Sequence, residues 1–159
     1  MFNRKKYEQD AVNLYRSTNA AILSTMSKKY EGYPFGSFIT YATDKSRTLF
    51  MYTSDIAQHT KNLKNDSKAC VTLFKLDTEY DKQNSSRLTL MGDLKKVPKD
   101  DLDDCQERFV KFLPESKKYS SMHDFKFYKL EISRVRWMGG VGDIAWINPK
   151  NWKDDSPKW

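Results

Sequence analysis

Histidine and cysteine are scarce in this chain: two of each in 159 residues. With only His59 and His123, a His-based catalytic triad or a multi-His metal centre has little material. His123 stands in a polar Ser-Ser-Met-His-Asp link and reads as an ordinary exposed residue. Cys70 and Cys105 have neither metal-ligand nor redox spacing. Cys70 lies in an apolar run and reads as a reduced core thiol, which fits a cytoplasmic protein. G-x-S-x-G and H-E-x-x-H signatures are missing, as is any internal repeat. No apolar run approaches the roughly 18 residues needed to span a bilayer. The basic start Met1–Lys6 leads into no apolar signal core, so neither export nor membrane attachment is expected.

What is present describes one well-filled domain. Hydrophobic residues make up 38% and aromatics 14%, so a core can form despite a mean hydropathy of -0.80. Net charge is +7, from 28 Lys+Arg against 21 Asp+Glu. Such a surplus favours anionic partners: nucleic acid, a phosphorylated cofactor or a propionate-bearing macrocycle. The cations are interleaved with acids and form no basic arm or helix-turn-helix pattern. Nucleic acid is therefore not expected, and the surplus reads most simply as a solvated basic surface.

Residues 3–18 show a helical stripe of Tyr7, Val12, Leu14 and Tyr15. Ala20–Met26 reads as a buried strand, and Glu31-Gly32-Tyr33-Pro34 as a turn. Phe35–Ala42 and Thr48–Tyr52 have strand composition and are expected to pair as a hairpin. Lys68–Phe74 is a further strand, 77–85 a loop, and Arg87–Val97 a long strand bent or bulged at Gly92. Pro98 and the acids through Asp104 suit a helix start, and that helix carries Leu102, Phe109 and Phe112 up to Pro114. Phe125–Ile132 and Arg134–Met138 read as two strands. Residues 1–147 form the domain, and 148–159 a polar tail with Trp152 and Trp159 as anchors. Strands joined by short links imply an antiparallel sheet that curls into a barrel to avoid open edges.

Two stretches carry candidate chemistry. Between two apolar runs, Ser54–Asp66 gathers Ser, Gln, His, Thr and two Lys on a short helical segment. Ser54 is placed to cap it. A helix start rich in hydroxyls and cations can seat a phosphate, although taken alone the segment reads more readily as a solvated face. Gly139-Gly140-Val141-Gly142 lacks the Lys-Ser/Thr ending of a P-loop. It marks a tight backbone path, either a bulge or a close approach to a ligand or another chain, with the bulge favoured. Trp137 and Trp146 flank it, either lining a cleft or packing.

Taken in order, Gly32-Tyr33-Pro34-Phe35-Gly36-Ser37, Ser54-Asp55-Ile56-Ala57-Gln58-His59-Thr60-Lys61-Asn62-Leu63, Arg87-Leu88-Thr89-Leu90-Met91-Gly92 and Gly139-Gly140-Val141-Gly142 with Trp146-Ile147 resemble the pyridoxamine-phosphate-oxidase-like split-barrel superfamily. The resemblance is nearest its haem-utilisation (HugZ-type) branch and spans roughly residues 8–147. It implies a mainly β protein with flanking helices: a six-stranded antiparallel split barrel that forms a homodimer with ligand sites at the subunit interface. By position, an FMN phosphate would meet Ser37, Ile39 and Thr40 on a strand and His59, Thr60 and Lys61 on the helix. Arg87 falls where relatives place a polar contact to the flavin, in some cases from the partner subunit. Hydroxyls and cations around a dianion give strong charge-assisted hydrogen bonds.

Flavin-binding members carry Arg or Lys where this chain has Ser37 and His59. Haem-degrading members use a His beyond the glycine motif as iron ligand, whereas no His follows His123 here. A haem role would need His59, His123, a Tyr or a Met as ligand, or a site of different design. The resemblance thus implies an FMN-dependent oxidoreductase, with a haem-binding or haem-degrading protein as the alternative and a non-catalytic ligand-binding module as a third. It nominates no catalytic residue.

Overall fold

The structure, a computed structural model, describes residues 4–153. Trp159 and the first three residues of the basic N-terminus lie outside the described residues. Helix α1 (Arg4–Ser17) precedes strands β1 (Ala20–Met26), β2 (Pro34–Thr40), β3 (Ala42–Thr43) and β4 (Leu49–Ser54). Helix α2 (Gln58–Asn65), β5 (Lys68–Lys75), β6 (Ser86–Lys96) and α3 (Leu102–Phe112) follow. The chain continues through β7 (Phe125–Met138), β8 (Ile144–Ile147) and the short α4 (Pro149–Trp152). All pairings are antiparallel, in the order β2-β1-β5-β6-β7-β4-β3, with β8 also on β7. This is a mainly β split barrel with flanking helices, built from eight strands rather than six.

Three local expectations change. Phe35–Ala42 does not pair along its length with the strand that follows. β2 pairs with β1 from Ala20↔Thr40 to Met26↔Pro34, across a turn in which Gly32 adopts φ +87°. At Tyr41 the chain breaks away, its N–H donating to Asn19 O, and only Ala42 and Thr43 reach β4. The expected break between Ile132 and Arg134 is absent, and β7 runs unbroken because β6 supports it throughout. The glycine motif is a hairpin turn rather than a bulge. Gly139 N–H donates to Asp143 O, Gly140 and Gly142 have positive φ, and the following Ile144–Ile147 adds β8.

The bulge foreseen at Gly92 is present. The β6–β7 register shifts between Met91↔Arg134 and Gly92↔Ile132, leaving Ser133 as the extra residue of β7. The shift keeps apolar residues inward on both sides of it: Leu130 and Ile132 before, Val135 and Trp137 after. A side chain at Gly92 would sit 2.0 Å from Glu131 O, which is backbone and cannot yield.

Apolar side chains bury on two fronts. Inside the barrel, Leu23, Val71, Leu73, Leu88, Leu90 and Val135 meet Val12 and Tyr15 of α1. Outside, α3 covers β3, β4 and the first half of β7 through Cys105, Phe109, Phe127 and Ala42. Among the described residues, no helix packs over the outer face of the remaining strands. There Ile22, Phe38, Phe74, Met91, Ile144 and Trp146 stay exposed. We expect Gly92→Ala to lower unfolding free energy by about 3 kcal/mol in urea titration, the scale of overpacking against rigid neighbours.

Candidate cofactor site

The residues nominated from sequence divide between the two faces of the sheet. Strand alternation and register put Ser37 and Ile39 inward, opposite Leu23 and Ala21. Thr40 and Arg87 lie on the outer face, separated by two strands, roughly 14 Å at ordinary strand spacing. Arg87 is turned to its own chain, donating to Ser85 O at 3.3 Å and to Gln83 O.

His59 and Thr60 are brought together in the first turn of α2, while Lys61 points to solvent. His59 Nε2 lies 2.7 Å from Thr53 Oγ1, which is also 3.3 Å from Thr60 Oγ1. The helix is fastened by Asn62, fully buried, whose amide donates to Thr25 Oγ1 at 3.0 Å and accepts from the Lys28 N–H at 3.0 Å. Thr25 shares the inner face with Ser37, whose buried hydroxyl has no hydrogen-bond partner. Ser54 does not cap α2, which starts at Gln58 after an uncapped Ala57. Its hydroxyl instead bonds Asp124 and accepts from the Ile56 N–H at 3.2 Å, tying the loop to the start of β7. Asp55 beside it is held below the usual carboxylate range by Lys64 first and Lys126 second.

A groove of about 680 Å³ lies elsewhere and contains none of the nominated residues. One wall is α1, with Arg4, Tyr7 and Glu8, and the other is the α4 turn, with Asn148, Pro149 and Asn151. Its floor is the edge strand β8, and it opens onto the bare outer face at Met91, Arg134 and Trp146. Those three share that face with Arg136, which pairs across β7–β8 with Trp146 and stacks its guanidinium 5.0 Å from the indole. Trp146 is 59% exposed and lines the groove, whereas Trp137 is 3% exposed and only packs. Arg134–Met138 was read as a strand from sequence; the meeting of Arg134 with Arg4, Tyr7 and Glu8 in one groove was not.

The arrangement suits an amphipathic ligand: an apolar strip beside guanidinium groups that would bind carboxylates. Residues 3–154 match the family described as CREG, beta-barrel. The chain belongs to that family. It is a split barrel of the pyridoxamine-phosphate-oxidase-like superfamily and fits its HugZ-type branch. It is 34% identical over 120 residues to "Non-canonical heme oxygenase HOZ, chloroplastic" of Arabidopsis thaliana, covering 76% of this chain and 36% of that protein. Protein CREG1 of Mus musculus is 26% identical over 144 residues, covering 83% and 65%. A heme binding protein from Mycobacterium smegmatis superposes with a TM-score of 0.84 at 28% identity, covering 92% of this chain and 60% of that one. The chain thus spans less than two thirds of each of these relatives. Among the described residues, no helix is long and apolar enough to cross a membrane.

Burial pushes the His59 imidazole below its ordinary value of 6.5. A folded value below the unfolded one means that the unfolded state binds the proton more readily. The stabilisation is then complete above about 6.5 and is lost as pH falls through the lower folded value. Unfolding free energy measured from pH 7.5 to 5 should therefore decline on acidification, and His59→Gln should flatten that decline. An unaltered profile in the variant would assign the loss to other groups.

Proposed function

We propose that this CREG-family chain binds haem, seated where the α1–α4 groove meets the outer sheet face, in a homodimer that buries the rest of that face. The observation that carries the reading is the groove itself: Met91, Trp146, Ile147 and Pro149 beside Arg4 and Arg134. Haem is an apolar disc with two carboxylates, so it needs such an apolar slot with cations at its rim. The relatives named for haem support this choice. The homodimer rests on the bare apolar face, since exposed patches of this kind mark association surfaces. Two free thiols, Cys70 and Cys105, fit a cytoplasmic setting.

When bound, haem supplies oxygen and redox chemistry. The chain's own part is to hold the disc, pair its carboxylates and exclude water with Trp146 and the partner copy. FMN is the second reading, favoured by the buried, unpartnered Ser37 hydroxyl on the inner face and by the Thr53, His59 and Thr60 cluster at the start of α2. A flavin spectrum released from the purified protein on denaturation would support it.

Titration of the purified protein with ferric haem should produce a saturable Soret band. Arg134→Ala should weaken binding about tenfold, the scale of one charged hydrogen bond. Absence of any Soret change would sink the haem reading. Sedimentation should show a dimer that Phe38→Asp dissociates, because this substitution places a charge on the outer face away from the groove.

A further inference from the structure

The haem reading raises the question of what would meet the iron, since neither histidine lines the groove. His59 is engaged with Thr53 beside α2, and His123 lies exposed in the link before β7. Of the side chains that do line the groove, Tyr7, Glu8 and Met91 carry atoms that ligate haem iron or resemble those that do.

Two of the three are committed elsewhere. The Tyr7 hydroxyl donates to Asp143 Oδ1 at 3.3 Å. Burial first, and that carboxylate second, push its ionisation above the ordinary tyrosine value, which works against the phenolate that iron takes. The Glu8 carboxylate faces inward to Arg47, with Nη1 3.0 Å from its Oε1. Met91 differs. It is 41% exposed on the outer face, and its row runs from Cys70 on β5 to Arg134 on β7. Its thioether is neutral and soft, and it needs no deprotonation to bind haem iron. Cys70, its cross-strand neighbour, does not line the groove, and its sulfur sits 3.9 Å from Thr72 Oγ1.

We propose that the Met91 thioether would ligate the iron of haem bound in this groove, with its cross-strand neighbour Arg134 holding a propionate. The assignment rests on the haem reading above. Binding is a ligand substitution: the sulfur lone pair forms the Fe–S bond as a water leaves ferric iron, with no change of oxidation state.

Ferric haem added to the purified protein, followed by absorption and electron paramagnetic resonance, tests this directly. With the thioether on one side of the iron and water on the other, the wild type should show absorption bands and g values shifted from those of free ferric haem. Met91→Leu conserves volume and apolarity, so the fold should persist. This variant should lose those shifts and bind at least about tenfold more weakly. Met91→His should replace them with a spectrum of imidazole ligation. A Met91→Leu spectrum identical to wild type, or loss of those shifts in Cys70→Ser instead, overturns the ligand assignment and leaves haem binding standing. A wild type that takes up no haem overturns both.

Discussion

The buried guanidinium of Arg47 is the contact on which the candidate groove depends. It sits on the turn between β3 and β4, at 3% exposure and with φ +66°. Its Nη1 meets Glu8 Oε1 at 3.0 Å and the carbonyls of Asn151 and Trp152 at 3.3 Å each. Glu8 belongs to one wall of the groove and Asn151 to the other, so one side chain holds both. Around it, the Tyr15 hydroxyl donates to Arg47 O, the Tyr41 hydroxyl donates to Tyr15 O, and Trp152 packs its indole against Tyr15. A buried charge of this kind is tolerated only while its partners stay in place, and losing one partner costs about 3–5 kcal/mol. The same constraint fixes the C-terminal turn, which the polar composition beyond Ile147 would not hold by itself.

The sheet gives the two faces of the molecule different work. The inner face is filled by β-branched and leucine side chains together with α1, and it is closed at one end by α2 through Asn62 and Thr25. The outer face is covered only in part. α3 seals β3, β4 and the first half of β7, and the remaining strands present apolar side chains and three arginines, at positions 87, 134 and 136, to whatever lies opposite. A family whose members are named for haem in some cases and not in others is consistent with that division. The barrel is maintained by the inner face, so the outer one is free to vary.

Much of the fold was legible in the residues. β1, β5, β6 with its bulge at Gly92, and α3 follow from alternation, turn residues and an acidic helix start. All are local signals. The pairing of β2 with β1 rather than β4 was misread because composition marks a strand but does not name its neighbour; the break at Tyr41 depends on a hydrogen bond to Asn19. β7 was divided in two because the bulge residue Ser133 interrupts its alternation, although its ladder with β6 continues. For the site, the contact of His59 and Thr60 with Thr53 falls in the segment singled out around α2. Met91, Arg134 and the groove were not, because each is an unremarkable residue of a strand.

By itself the amino-acid order determined the superfamily, the antiparallel β character and the scarcity of ligating histidine, since these rest on composition, short-range periodicity and ordered motifs. Tertiary structure alone decided that Arg4, Met91, Arg134 and Trp146 surround one groove, and that Thr40 and Arg87 share a face that Ser37 and Thr60 do not. Which residues meet across a curled sheet depends on pairing order and on a one-residue bulge. Both are set by long-range hydrogen bonding and by burial of the inner face, and no local stretch of sequence encodes them.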